Sequence, residues 1–344
     1  MTPSPLVSII IVNWNGGKFL ADCLGSVYGE PYMPVEVIFV DNGSTDSSVE
    51  FVREKFPKTV IIRNSENLGF ARANNQGIKA AKGKYVITLN NDTLLEKGFI
   101  GELVREAEAS GEKTGMWAPK ILSLDGKKSR VIDSAGGLLI YRDGLAKGKG
   151  RLEKDRGQYD NERDIFIVSA CAALYRKSML DSIGGFDEDF FAYCEDTDLG
   201  LRARLAGWKA AFVPGAAVYH YYSGTTGRYT PLKAYLVARN HAWAAIKNFP
   251  ALDLILFPFY TLWRYAVQAF GMVTGKGAAG RFVEDSSILK LASIVIKAYA
   301  HVFLSLPRTL SKRRRIQGKR TVSAHEVRSW FKRYGISAKD VIKD

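Results

Sequence analysis

The segment "VITLNNDTLLE", residues 86–96, decides how the chain folds. Its first half, Val86-Ile87-Thr88-Leu89, is an apolar run without polar alternation, the pattern of a strand covered on both faces. It stops at Asn90-Asn91-Asp92, and an amphipathic, helix-like stretch begins near Leu95. Two readings account for a carboxylate at that strand end. Asp92 is a turn or N-cap residue, or it anchors a hard divalent cation that also holds a phosphate.

The flanking sequence repeats the pattern. Val7–Val12, Val35–Val40, Thr59–Ile62 and Tyr85–Leu89 read as strands, and helical spacing covers Gly17–Tyr28, a stretch from about Asp46, and Phe70–Lys82. Apolar strands alternating with helices predict a mostly parallel sheet flanked by helices. In such sheets ligands gather at the carboxyl ends of the strands. Here those ends read Asn13-Trp14-Asn15, Asp41-Asn42-Gly43-Ser44, Arg63-Asn64 and Asn90-Asn91-Asp92. A single polar strand end is a loop, whereas four in succession mark a site.

Ser110–Asp164, rich in Gly, Lys and Asp, reads as a loop-rich excursion lying over the sheet. Regular pattern resumes with strand-like runs at Ile165–Tyr175 and Lys209–Val213, a helix from about Asp196, and helical sequence beyond Pro231. The formal net charge is +14, and much of it sits between Arg308 and Arg333. Such a tail suits an anionic membrane surface or nucleic acid. Leu252–Thr274 and Ser286–Leu306 are apolar enough to consider as spans, but Arg264, Gln268, Lys290 and Lys297 interrupt them. Helices lying in the membrane interface are the expectation. Three cysteines without metal-site spacing, and no signal-peptide pattern at the start, set the expectation that the catalytic part stays in the cytoplasm.

Other side chains stand out by position. Asp41 ends a strand, where its carboxylate is part of a turn or accepts from the imide N–H of a pyrimidine base framed by Asn13 to Asn15. In "FFAYCEDTDLGLRAR", Asp198 and Arg202 have the spacing of an ordinary helix pair. Glu195 and Asp196 open the same helix behind Phe190, Phe191 and Tyr193, as caps or as a general base. His220, after another strand-like run, is the candidate second metal ligand.

"VSIIIVNWNG", "VIFVDNGSTDSS", "NLGFARANNQGI", "LNNDT", "GGFDEDFFAYCEDTDLGLRARLAGW" and "VYHYYSGTTG" together resemble family 2 glycosyltransferases over residues 5 to 250. The rhamnosyltransferase-like subset is the nearest in kind. The resemblance implies an α/β GT-A (Rossmann-like) fold at 1–250 and leaves 251–344 as a helical membrane-associating extension. It implies that Asp41 binds the base beside Asn13 and Asn15, and that Asn90-Asn91-Asp92 is the metal motif with Asn in its usually acidic first place. Asp92 and His220 then hold Mg²⁺ or Mn²⁺, and Asp196, beside Glu195, is the catalytic base. Asn74 stands where many relatives carry Arg, so it and Asn67 are expected as polar nucleotide contacts.

The implied reaction is inverting transfer of a sugar from a nucleotide-diphosphate sugar, with dTDP-rhamnose first and UDP-hexose or GDP-mannose as alternatives. The implied acceptor is a polyprenyl-diphosphate-linked glycan at the cytoplasmic face of the membrane. A nucleic-acid binder is disfavoured because the basic residues crowd the tail without interleaved aromatics. A nicotinamide oxidoreductase lacks GxGxxG after the first strand, where "NWNGG" stands. A non-catalytic sugar-nucleotide-binding homologue would have lost the base or the metal ligands, and this chain keeps Asp92, Asp196 and His220.

Overall fold

A computed structural model describes residues 3–124, 128–221, 230–273 and 287–341. The 222–227 end of the last quoted motif and the outer ends (Thr274, Ser286) of the two apolar stretches lie outside the described residues. The chain divides into two compact units. The first is Met1–Leu138, Gly148–Phe191 and Trp208–Thr225, and the second is Leu139–Lys147, Ala192–Gly207 and Thr226–Asp344.

The first unit is built as β1 (Val7–Asn13), α1 (Gly17–Tyr28), β2 (Val35–Asp41), α2 (Ser48–Lys55), β3 (Val60–Arg63), α3 (Phe70–Ala80), β4 (Tyr85–Asn90), β5 (Thr93–Leu95) and α4 (Phe99–Ala109). There follow β6 (Thr114–Leu124), β7 (Lys128–Ala135), β10 (Asp164–Ile165), β11 (Ala172–Arg176), α5 (Lys177–Ile183) and β12 (Lys209–His220), while the paired strands β8 (Leu138–Ile140) and β9 (Ala146–Gly148), which come between β7 and β10 in the chain, belong mostly to the second unit. The main sheet runs β10-β12-β6-β11-β4-β1-β2-β3, with β5 added to β12 and β7 to β6. β3, β2, β1 and β4 are parallel, and β11 is antiparallel to β4. Ile9, Ile11, Phe39, Ile87 and Leu89 pack on one face against Leu20, Leu24, Phe99 and Leu103 of the helices. Burial on both faces is why these strands are continuous apolar runs.

Three expectations are corrected. Leu95 belongs to the short strand β5, paired with Val218 of β12, and the helix starts only at Phe99. Within 110–164, residues 114–124 and 128–135 do not lie over the sheet but form part of it, because β6 is one of its inner strands and β7 pairs antiparallel with it. Pro119 and Lys120 disguised β6 as a loop. Pro119 sits beside the register shift in β12, where a missing N–H is tolerated. Lys120 is buried but neutralised by Asp155 at 3.1 Å and Asp160 at 2.7 Å. Ile165–Tyr175 is two strands, β10 and β11, interrupted between them.

The second unit is helical: α6 (Glu195–Leu205), α7 (Pro231–Asn248), α8 (Ala251–Val273), α9 (Ile288–Leu304), α10 (Leu306–Gly318), α11 (Ala324–Arg333) and α12 (Ala338–Val341). Arg264, which interrupts the apolar α8, points inward and donates to the fully buried Asp143 at 2.6 Å. Asp198 is no ordinary surface pair. It is fully buried, and it meets Arg202 Nε at 2.8 Å, Lys247 Nζ at 2.7 Å and Asn248 Nδ2 at 2.9 Å. Among the described residues no single helix is long and apolar enough to cross a membrane. α9 and α10 reach that length and composition only as a pair bent by 62°.

Candidate active site

In the first unit, register brings the polar strand ends to one level. Asn13 lies opposite Asp41, and Val12 opposite Asn90. The fully buried Asn13 donates to Ser44 Oγ at 3.1 Å and accepts from Asn91 Nδ2 at 2.6 Å. Asn15, at φ 51°, accepts from the Thr45 backbone N–H at 2.8 Å. Gly16 lets the chain through, since a Cβ there would lie 2.0 Å from Asn91 Nδ2. Asn13, Asn15 and Asn91 thus form one hydrogen-bonded rim across β1, β2 and β4.

Asn67 and Asn74 serve differently. Asn67 accepts from Asn42 Nδ2 at 2.8 Å and from the Gly69 N–H at 2.9 Å, shaping the turn before α3. Asn74 is buried on α3 and donates to the Phe70 carbonyl at 3.0 Å. Asn42, which sequence reading passed over, is the hub of this corner. Its Oδ1 accepts from Asn64 Nδ2 and from the Leu68 N–H, both at 3.1 Å. Asp41 contrasts with these saturated amides. It is fully buried, and among the described residues neither oxygen accepts a hydrogen bond and the cation beside it is Arg63 Nε at 3.8 Å. Buried acceptors are nearly always satisfied, and a donor N–H from a base would complete this one.

Asp92 and His220 are 128 positions apart, yet β12 pairs with β5 so that His220 faces Thr93. His220 Nε2 lies 3.4 Å from Asp92 Oδ1, and its Nδ1 lies 2.8 Å from Asp133 Oδ2. Asp133, on β7, also pairs with Arg151. Burial works against a charged imidazole here. Cys171, Asp92 and Asp133 outweigh it and hold His220 well above the ordinary range. Asp133 was missed because its stretch read as loop.

Among the described residues no three His, Cys, Asp or Glu side chains converge as a ready-made metal cage. The Asp92–His220 pair still fits a cation shared with a diphosphate. It offers one carboxylate oxygen and, once a cation displaces the proton the neighbouring acids hold on the ring, one imidazole nitrogen at ligand–ligand spacing. The second ring nitrogen is oriented by a carboxylate, as ligating histidines usually are.

In the second unit, Glu195 and Asp196 begin α6. The backbone before them is strained, with Tyr193 at φ 69° and Cys194 at φ 65°. Non-glycine residues pay roughly 1–3 kcal/mol for such conformations, which cluster at functional sites. Asn240 of α7 clamps the segment, donating to the carbonyls of Ala192 and Tyr193 at 2.8 Å each. Asp196 is half-buried and accepts from the Thr197 N–H at 2.7 Å. Glu195 is buried, and burial, reinforced by the charge of Asp196, pushes its carboxyl well above the usual range. Asp196 is the more exposed of the two carboxylates.

Residues 8–184 match the profile of Glycosyl transferase family 2. The chain is 30% identical over 251 residues to the N-acetylglucosaminyl-diphospho-decaprenol L-rhamnosyltransferase of Mycobacterium tuberculosis, covering 65% of this chain and 78% of that one. Among solved structures, GalNAc-T7 with UDP, GalNAc and Mn²⁺ is 17% identical, with a TM-score of 0.59, over 88% of this chain and 59% of that one. The mannosyltransferase PcManGT from Pyrobaculum calidifontis, in complex with GDP-Man and Mn²⁺, is 18% identical with a TM-score of 0.52, over 96% of this chain and 89% of that one. At these identities the two structures speak for the GT-A fold alone. With the sheet order, the polar strand ends and the profile in agreement, the chain belongs to glycosyltransferase family 2.

Proposed function

We propose that this glycosyltransferase moves rhamnose from dTDP-rhamnose, with inversion, onto a polyprenyl-diphosphate-linked glycan during cell-surface polysaccharide synthesis. The observation that carries the nucleotide-sugar reading is the buried Asp92–His220 pair, 3.4 Å apart and backed by Asp133. The rhamnosyl donor and lipid-linked acceptor are supported by the similarity to the mycobacterial rhamnosyltransferase.

Asp41 accepts from the base imide, and the Asn13–Asn15–Asn91 rim borders the rest of the nucleotide. A divalent cation at Asp92 and His220 would offset the charge developing on the departing nucleoside diphosphate. Asp196 accepts the proton of the acceptor hydroxyl as that oxygen attacks the anomeric carbon from the opposite face. One displacement inverts the centre, so no second catalytic carboxylate is required.

Residues 251–344 hold the enzyme peripherally on the cytoplasmic face of an anionic membrane. Leu252, Ile255, Leu256, Phe259, Leu262 and Trp263 form an exposed stripe along α8, in keeping with that role. Calorimetric titration with dTDP-rhamnose, UDP-hexoses and GDP-mannose tests the donor. dTDP-rhamnose binding tightest in wild type, and weakened in Asp41→Ala, is expected. Preference for another donor would replace the sugar assignment, and equal binding by Asp41→Ala would remove Asp41 from the base pocket.

A further inference from the structure

The second unit holds a feature that the transfer chemistry does not use. A groove of about 510 Å³ opens between the start of α8 and the helices α10 and α11. Four guanidiniums line it, from Arg313, Arg314, Arg320 and Arg328, with Leu252 and Leu310 beside them. Among the described residues only Arg328 meets a carboxylate there, Asp253 at 3.0 Å. Arg313 is a fixed wall, donating to the carbonyls of Ile246 and Phe249 at 2.7 Å each. Among the described residues the Arg320 guanidinium donates to the neutral Gln317, at 3.2 Å. Arg314 and Arg320 are exposed.

Like charges gathered around one groove repel, and water screens them incompletely where they are partly buried. Burial, with the nearby Arg320, lowers the proton affinity of Arg313. A phosphate group entering the groove would relieve that repulsion and accept forked hydrogen bonds from the guanidiniums. The groove's rim is apolar: Leu252 is 64% exposed and Leu310 49%. Leu252 continues directly into the exposed stripe of α8. Cationic pocket and apolar rim side by side match the phosphate and acyl layers of a bilayer surface.

We propose that this arginine groove is a binding site for the phosphate headgroup of an anionic phospholipid, seating the second unit on the membrane. The proposal rests on the peripheral membrane reading above and gives it a defined contact. Arg314 and Arg320 supply the charge to the headgroup, Arg313 holds the groove open, and Leu252 and Leu310 enter the lipid.

The test is co-sedimentation of the full chain with vesicles of phosphatidylcholine, alone or mixed with phosphatidylglycerol. Wild type should bind the mixed vesicles far better than the neutral ones. Arg314→Ala/Arg320→Ala should bind them roughly 30-fold more weakly, since each basic residue near an anionic surface contributes a factor of about 5. Lys55→Ala/Lys58→Ala, which removes equal charge from the first unit, should bind within about twofold of wild type, since that factor applies only within a Debye length of the bilayer. If the groove and control variants weaken equally, or neither weakens, the groove is overturned while the membrane reading stands. Equal binding to both vesicle types would also overturn it, leaving only the apolar stripe. If wild type binds neither vesicle, both the membrane reading and the groove fall.

Discussion

Replacing Asp133 by Asn probes the proposed metal site without touching either proposed ligand. In the wild type one carboxylate serves two cationic partners, His220 Nδ1 at 2.8 Å and the Arg151 guanidinium. Asn presents one oxygen and one NH₂. With its oxygen toward His220, the NH₂ meets the donors of Arg151, and in the reverse orientation the histidine loses its acceptor. Either way, the imidazole is no longer fixed with Nε2 toward Asp92 Oδ1, 3.4 Å away. Loss of such an orienting carboxylate costs about 10- to 100-fold in metal affinity, or roughly 1.4–2.7 kcal/mol. Mn²⁺ affinity, followed by the electron paramagnetic resonance of free Mn²⁺ in the presence of nucleoside diphosphate, should weaken by that factor. The melting temperature should fall only slightly. His220→Ala should weaken Mn²⁺ binding at least as much. An unchanged Mn²⁺ affinity in Asp133→Asn, beside a clear loss in His220→Ala, would refute the orienting role.

Other residues yield sharp expectations. Asn240→Ala removes both hydrogen bonds holding the Ala192–Tyr193 carbonyls. Because it frees the strained turn before Asp196, kcat should fall 10-fold or more, at about 1 kcal/mol per bond, while donor affinity in titration stays unchanged. Asp198→Ala removes the buried carboxylate that meets both Arg202 and Lys247. It should cost about 3–5 kcal/mol in urea unfolding, and a loss under 1 kcal/mol would contradict the buried network. His241 is fully buried, and burial, with the Arg264 charge, lowers its proton affinity to about 4. The unfolded chain takes up that proton near 6.5 and the fold only near 4, so stability falls by about 3 kcal/mol as pH drops through this window. His241→Gln should flatten that part of the stability profile, and an unaltered slope would refute the assignment.

The parallel half of the sheet was legible because its strands are buried on both faces, which writes them as unbroken apolar runs between helices. Asp41, Asp92 and the asparagines were legible for the complementary reason, since polar residues ending buried strands have little packing work to do. β6 was not, because its Pro119 and Lys120 carry loop-like chemistry made tolerable only by a bulged partner and by Asp155 and Asp160. Losing β6 also lost Asp133, whose place beside His220 depends on the antiparallel pairing of β7 with β6 and on β12 pairing with β6. Asn240 gave no signal at all. Its work is to hold main-chain carbonyls far away in sequence, and no periodicity records that. The i,i+4 spacing of Asp198 and Arg202 was visible, but spacing does not report burial.

The central claim is metal-assisted sugar transfer with Asp92 as an anchor and Asp196 as the base. Its most direct measurement is release of nucleoside diphosphate from dTDP-rhamnose, in Mn²⁺ and in chelator, with polyprenyl-diphosphate-linked glycan as acceptor. Wild type should turn over only with the metal. Asp92→Ala and Asp196→Asn should each fall at least 100-fold, the scale of losing a general base or a charge-stabilising group. Asp196→Asn transferring sugar at the wild-type rate, or full turnover in chelator, would contradict the account.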